Sequence, residues 1–211
     1  MLRRMFLSRV PALAMASTAY GVPQAKASAA TNWTAAKHDQ DNWLDENTAK
    51  HRVVVDTYAP DRFADALLFS GNLFETNLAA YDVANKDMAV LLIVRHNTTP
   101  LGYNDAMWNK YGKQLAARMG WVDPKTKEVP TTNIYKNRFE GLAKEGLMLG
   151  VCQRTTQAYS GIIAREFDKK PDEVFKELAA NLVLPTARIV PAGVIAVTRA
   201  QERGYSLVTV A

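Results

Sequence analysis

The chain contains one cysteine, Cys152, whose position in the sequence is typical of a reactive thiol. It closes an apolar run, residues 147–151, and precedes a segment predicted to be helical from Thr155 or Thr156. A thiol ahead of a helix N-terminus meets unpaired N–H groups and a partial positive charge, which favour the nucleophilic thiolate. Arg154 would add to this charge if its side chain points inward. The alternative is that Cys152 is a small buried hydrophobic residue at a strand end.

His96 is the second residue with suitable chemistry, and it closes the predicted strand over residues 88–95. In an open sheet of parallel strands, ligands bind at the edge where the carboxyl ends of the strands meet. We therefore expect His96 and Cys152 to lie at the same edge. An imidazole titrates near neutral pH and can shuttle a proton. The alternative is a loop histidine that satisfies nearby backbone groups.

Other patterns that carry chemistry are missing from the sequence. His38, His51 and His96 show no spacing typical of metal ligands, so we predict no metal site and no cofactor. Residues 58–61 stand where a glycine-rich dinucleotide loop would follow the first strand. The Gly-x-Ser-x-Gly sequence of α/β-hydrolases is also missing.

The predicted strands and helices alternate along the chain. Strands are predicted over residues 52–56, 88–95, 147–151, 188–190 and 205–210. Between them, three- and four-residue spacings predict helices over 61–78, 105–119, 137–144, 155–167, from 171, and 193–203. Residues 120–133 are rich in turn formers, and we interpret them as a small hairpin. This order predicts a single α/β domain whose central, mostly parallel sheet is flanked by helices, a three-layer fold of the Rossmann or flavodoxin type.

The first 29 residues are predicted to be a twin-arginine signal peptide. Arg3 and Arg4 are followed by Met-Phe-Leu, and an apolar stretch over residues 10–20 precedes the cleavage sequence Ala-Ser-Ala at 27–29. This stretch is much shorter than the ~20 apolar residues of a membrane-spanning helix. We expect export by the twin-arginine translocase to the periplasm or another extracytoplasmic space, with no membrane attachment after cleavage. The alternative is an amphipathic N-terminal arm.

Most of the positive charge belongs to this predicted signal peptide. The formal net charge is +5, and residues 1–29 hold four basic and no acidic side chains, which leaves +1 after cleavage. Nucleic acid binding needs a basic face on the domain itself, so nucleic acid is not an expected partner. Residues 30–50 are polar around Trp33 and Trp43. We predict that they form a tether to a domain of residues 51–211, and that the tryptophans dock on it or on a neighbouring subunit.

Three parts of the sequence resemble the DsrE/DsrF-like proteins of sulfur relay and sulfur oxidation. Residues 149–155, Leu-Gly-Val-Cys-Gln-Arg-Thr, resemble the cysteine loop of this family. Residues 190–194 and 201–205, Val-Pro-Ala-Gly-Val and Gln-Glu-Arg-Gly-Tyr, resemble its closing segment. Residues 94–112 are similar to exported members that carry a twin-arginine signal. The resemblance covers roughly residues 50–211.

The resemblance implies a compact α/β fold that is often assembled as homotrimers or hexamers. It also implies that the matching cysteine, Cys152, carries a persulfide, taking sulfur from a small sulfur species or a donor protein and passing it on. In this interpretation Arg95, His96 and Asn104 line the pocket and hold an anionic sulfur species, and Thr155 belongs to the cysteine loop.

Two hypotheses of different classes follow from these observations. The first is a periplasmic DsrE-like protein that binds or relays sulfur through Cys152, which leaves open whether it is an enzyme. The second is a non-catalytic module of the same fold that binds a small ligand or serves in assembly as a homo-oligomer. In the second case Cys152 is buried and slow to react, because fold alone does not carry activity.

Overall fold

Five parallel strands form the central sheet, in the order β4-β3-β2-β1-β5. They are β1 (His51–Thr57), β2 (Met88–Val94), β3 (Met148–Cys152), β4 (Arg188–Val190) and β5 (Ser206–Val210). This computed structural model describes residues 33–211, so the predicted signal peptide lies outside the described residues. Strand β2 is buried along its whole length, as its apolar run predicts for a central strand.

Six α-helices connect the strands. They are α1 (Phe63–Tyr81), α2 (Asp105–Met119), α3 (Lys136–Glu145), α4 (Gln153–Glu166), α5 (Pro171–Ala180) and α6 (Gly193–Gln201). Short 3-10 helices occupy Asp39–Leu44, Pro60–Arg62, Asn85–Asp87 and His96–Gly102. None of the described helices is both long and apolar enough to cross a membrane.

The strand order explains why the two faces of the sheet are covered unequally. From β1 to β4 each strand lies one position further in the same direction, so right-handed crossovers place α1 to α5 on one face. The last strand returns to the other side of β1, which places α6 on the opposite face. The core follows this division, since one apolar cluster joins the sheet to α1 through α5 and a second joins it to α6. The predicted three-layer α/β fold is thus confirmed.

The segment before β1 is part of the folded unit, which spans residues 35–211. Leu44 is fully buried in the α6-face cluster, and Trp43 packs against that cluster. The hydroxyl of Tyr205 donates a hydrogen bond to the Leu44 carbonyl at 2.8 Å. The structure thus differs from the interpretation of residues 30–50 as a tether. The physical reason is that α6 alone does not cover its face, and residues of this segment cover the rest.

Residues 120–133 form turns without a strand, so the interpretation as a hairpin is wrong. Asp123 closes the main turn, where its carbonyl accepts from the N–H of Lys127 at 2.8 Å and its own N–H donates to Glu128 at 2.9 Å. Pro124 and Pro130 lack the N–H that a strand ladder requires, which explains the absence of pairing.

Candidate functional site

The register of the sheet brings Arg95 and Cys152 to the same level on neighbouring strands. Val94 pairs with Val151, so Arg95, which continues β2 in an extended conformation, is the residue level with Cys152. Cys152 pairs in turn with Val190 of β4. Because side chains alternate along a strand and Val190 belongs to the α6-face cluster, Cys152 faces α6. The carboxyl edge of the sheet thus carries a guanidinium and a thiol on one face.

Cys152 ends β3 and is also the N-cap residue of α4, which begins at Gln153, two or three residues earlier than predicted. Its side chain is largely buried, with 5% of the residue exposed. The hydroxyl of Thr155, in the first turn of α4, donates to Sγ of Cys152 over 3.4 Å. Among residues 33–211, no side chain caps the first N–H groups of α4. A hydroxyl donor and a helix N-terminus both stabilise negative charge that forms on sulfur.

Two buried hydroxyl groups fix the backbone of Cys152. Thr156 donates from Oγ1 to the Cys152 carbonyl at 2.9 Å, and Tyr103 donates to the same Thr156 oxygen at 2.8 Å. Burial raises the pKa of Tyr103 far above its ordinary value of 10.0, so this phenol stays a neutral donor. The sequence did not indicate this contact, because the two hydroxyl groups meet only when the connection after β2 packs on α4.

Arg95 forms a bidentate ion pair with Asp56 of β1. Its Nε and Nη2 each lie 2.7 Å from a carboxylate oxygen of Asp56, whose side chain is 7% exposed. The hydrogen bonds that Arg95 donates to Asp56 raise the pKa of Arg95. The ring of Tyr58 stacks at 5.0 Å from the guanidinium carbon. Arg95 was expected to hold an anion, but most of its charge is compensated by Asp56, and only Nη1 is without a hydrogen bond among the described residues.

Helix α6 starts directly against Arg95. A Cβ atom at Gly193 would stand 2.4 Å from Cβ of Arg95, so any larger residue would push the two apart. As in α4, no side chain of the described part of the chain caps the first turn of α6. In the sequence, the contact between α6 and Arg95 was indicated only by Pro-Ala-Gly, which is part of the segment that resembles the DsrE/DsrF-like closing segment. The role of Asp56 was indicated only by the position of an acidic residue at the end of the first β-branched run.

His96 lies one residue beyond Arg95, at the start of the 3-10 helix, and is exposed. Its φ of 50° is left-handed, a conformation that non-glycine residues seldom adopt. The turn is held by Thr98, whose hydroxyl lies 2.9 Å from the Arg95 carbonyl. No hydrogen bond among the described residues joins His96 to Cys152. His96 thus lies at the expected edge of the sheet, but it is not hydrogen-bonded to the thiol in the described part of the chain.

The side chains of two further predicted site residues, Asn104 and Arg154, do not have the positions that the sequence predicts. The side-chain oxygen of Asn104 accepts from the N–H of Met107 at 3.2 Å and caps α2, while its Nδ2 donates to Asn181 at 3.2 Å. Both polar atoms are therefore used within the fold, and the pocket role expected for Asn104 is not what the geometry shows. Arg154 is exposed on α4 rather than pointing inward, which corrects the expectation that it adds charge next to Cys152.

A cavity of about 530 Å³ lies at the opposite edge of the sheet. Met148 lines it at the start of β3, whereas Cys152 ends that strand. Other lining residues include Trp43, Glu46 and Arg188, and the guanidinium of Arg188 stacks at 5.7 Å from the Trp43 ring. Among residues 33–211, no group of three or more His, Cys, Asp or Glu side chains could hold a metal ion.

Comparison with solved structures shows a structural likeness. No family model matches the sequence, and no curated protein matches it. Among solved structures, the chain is similar to the protein of unknown function MTH1491 from Methanobacterium thermoautotrophicum, with 16% identity and a TM-score of 0.43. The match covers 76% of this chain and 99% of that one. At this level the likeness carries no argument about function, and the fold follows from the strand order and packing described above.

Proposed function

We propose that this chain is a sulfur-binding protein in which Cys152 accepts one sulfur atom as a persulfide. The observation that carries the proposal is the hydrogen bond from Thr155 to Sγ of Cys152 at the uncapped start of α4. That arrangement favours negative charge on the sulfur both before and after transfer. The resemblance of residues 149–155 to the DsrE/DsrF-like cysteine loop supports the same chemistry.

The proposed reaction is a displacement at a sulfane sulfur. The thiol of Cys152 loses its proton to water, and the thiolate attacks the outer sulfur of thiosulfate. A new S–S bond forms on Cys152, the S–S bond of thiosulfate breaks, and its electron pair leaves with sulfite. A polysulfide reacts in the same way and leaves one sulfur shorter. No external oxidant or reductant is consumed. His96, which is exposed beside Arg95, stays a candidate for accepting the proton through water.

Residues around the thiol would hold the anionic donor. The free Nη1 of Arg95 and the uncapped N–H groups of α4 and α6 are hydrogen-bond donors at the same edge of the sheet. Helix N-termini bind small anions through such groups. Because Asp56 already compensates most of the charge of Arg95, the N–H groups are the main anion contacts in this proposal.

The burial of Cys152 limits which donors can reach it. With 5% of the residue exposed, small donors such as thiosulfate and short polysulfides fit the access better than a bulky disulfide reagent. Burial also slows oxidation of the thiol, which matters in the oxidising space to which the signal sequence would direct it. We therefore propose that the protein carries sulfur outside the cytoplasm.

Intact-protein mass spectrometry tests the proposal. The folded chain is treated with polysulfide or with thiosulfate, and we expect the mass to increase by one sulfur atom. Reduction with dithiothreitol should reverse the increase. Cys152→Ser is the control and should gain nothing. If the folded wild-type chain gains no mass, while the urea-unfolded chain does, the thiol is sealed and the proposal is wrong.

The cavity lined by Trp43 and Arg188 favours a second candidate function. Its volume, about 530 Å³, lies within the range of small-molecule sites, and it combines an aromatic ring with charged groups of both signs. In this case the protein is a ligand-binding module and the thiol is structural. The persulfide experiment separates the two functions, because a ligand site at the amino edge of the sheet needs no reactive cysteine.

A further inference from the structure

The cavity at the amino edge of the sheet exists because edge strand β4 is short. Strand β4 begins at Arg188, which is level with Gly150 of β3. Met148 and Leu149 come before Gly150 on β3, so no residue of β4 pairs with them. The cavity of about 530 Å³ occupies the space beside these two residues, and both line it. The gap is therefore built into the sheet, and its β3 wall is apolar.

One cation and one anion line this cavity in the described part of the chain, Arg188 and Glu46. Nη2 of Arg188 lies 3.0 Å from a carboxylate oxygen of Glu46. The guanidinium carbon lies 5.7 Å from the centre of the Trp43 ring, and Trp43 is itself fixed, because it packs against the α6-face cluster. Arg188 is thus oriented at the cavity by an aromatic ring and by a carboxylate.

The ion pair between Arg188 and Glu46 is weak enough to be exchanged for a ligand. Their side chains are 51% and 64% exposed, and an ion pair between such exposed groups contributes little to stability. A guanidinium binds a carboxylate through two parallel N–H groups. The amide of Asn47, which also lines the cavity, is already bonded to the Met88 carbonyl and the Ala49 N–H. Arg188 is therefore the main polar contact for a ligand.

We propose that this cavity binds a small monocarboxylic acid with an apolar body. The carboxylate of the ligand takes the place of Glu46 on Arg188, and its body lies against Met148 and the neighbouring leucines of β3. A dianion does not suit the site, because one guanidinium faces it and Glu46 repels a second negative charge. The inference rests on the second candidate function, ligand binding at this cavity, and needs no reaction at Cys152.

Nuclear magnetic resonance of the full chain tests the ligand class with three probes. The first, 3-phenylpropionate, carries the carboxylate, 3-phenylpropan-1-ol has the same body without charge, and phenyl phosphate is a dianion at neutral pH. We expect 3-phenylpropionate to shift the resonances of the Met148 methyl group and the Trp43 indole, with a Kd on the order of 1 mM, typical of so small a ligand. The other two probes should bind about tenfold more weakly, because each lacks a matched charge.

Two substitutions with opposite expected effects separate direct binding from a change in shape. Arg188→Gln should weaken the binding of 3-phenylpropionate about tenfold, because it removes the charged donor. Glu46→Gln should tighten it about threefold, because the competing carboxylate is lost. Arg62→Gln is the matched control, since Arg62 is an exposed arginine that is ion-paired to Asp65 at 3.0 Å and does not line the cavity. It should leave the Kd unchanged.

The outcomes distinguish the ligand class from the cavity itself. If the alcohol or the phosphate binds as tightly as 3-phenylpropionate, or if Glu46→Gln weakens binding, the carboxylate assignment is overturned and the cavity stays a ligand site. If no probe shifts the Met148 resonance, the inference fails together with the second candidate function. Neither result affects the persulfide proposal, which the mass measurement on Cys152 tests.

Discussion

In the proposed sulfur site, Arg95 positions neighbouring groups and is not the main anion contact. Two of its nitrogens are bound by Asp56, so it joins β1 to β2 below the start of α6. Removing one partner of such a part-buried pair leaves an uncompensated charge, which costs more than the pair itself contributes. Arg95 therefore shapes the edge at which Cys152 lies, and its remaining donor is available to an anion.

Replacing Thr155 by valine tests the hydrogen bond to the sulfur of Cys152. Valine keeps the shape of threonine but cannot donate, and a hydrogen bond to a charged acceptor contributes about 1.5 kcal/mol. We therefore expect persulfide formation to slow about tenfold, with little change in the unfolding free energy. The measurement is the rate of sulfur addition followed by mass spectrometry. Thr132→Val, at an exposed position, serves as control. Equal rates in Thr155→Val and wild type would exclude this role for the hydroxyl.

Sequence reasoning located the residues of the site better than their partners. Cys152 and Arg95 were predictable at one edge because each follows an apolar run that forms a central strand. Their partners depend on register and on packing between distant segments, which one sequence does not contain. Asp56 is 39 positions from Arg95, and Tyr103 reaches Thr156 over 53.

At the scale of secondary-structure elements, the segment before β1 behaves as an integral part of the core. Its polar composition predicted a tether, but Asp45 meets Arg52 at 3.1 Å and Arg203 at 3.3 Å. The Arg203 side chain is almost completely buried. The charge of Asp45 in this segment is therefore paired within the fold, and Leu44 packs in the apolar cluster under α6. Composition alone could not distinguish this arrangement from a solvated linker.

The ion pairs of Asp45 predict a pH-dependent contribution to stability. Burial opposes its ionisation, but hydrogen bonds from Arg52 and Lys37 and the charge of Arg203 lower its pKa below 3.8. Because the pKa is lower in the folded than in the unfolded state, this stabilisation is present above about pH 4 and is lost as the pH falls through the folded-state value.

We expect Asp45→Asn to lower the unfolding free energy by about 1 kcal/mol at pH 7, the scale of partly exposed ion pairs. The difference from wild type should disappear in strongly acidic solution. Urea unfolding at both pH values measures it. Asp39→Asn, at an exposed position, should match wild type throughout. If the unfolding free energy of Asp45→Asn is still lower than that of wild type at low pH, the shape of the Asp45 side chain matters and its charge does not.

At the scale of the whole molecule, the strand order separates Cys152 from edge strand β5. The β4 edge lies next to Cys152, whereas the open β5 edge is on the other side of β1. Parallel strands and flanking helices were predictable from the alternation of apolar runs and amphipathic segments. The position of β5 beside β1 was not predictable, because it depends on which edge of the sheet receives the last crossover.

The export prediction concerns the whole molecule as well, since the twin-arginine route carries folded proteins. The compact unit begins at Ala35, so cleavage after residue 29 would remove none of it. We expect that changing Arg3 and Arg4 together to lysine blocks export, because the translocase requires the arginine pair and not only its charge. Cell fractionation should then show the uncleaved precursor in the cytoplasm, whereas Arg9→Lys should still yield the shorter, exported chain. An exported double variant would contradict the twin-arginine assignment and would remove the main reason to assign sulfur chemistry at Cys152 to an oxidising compartment.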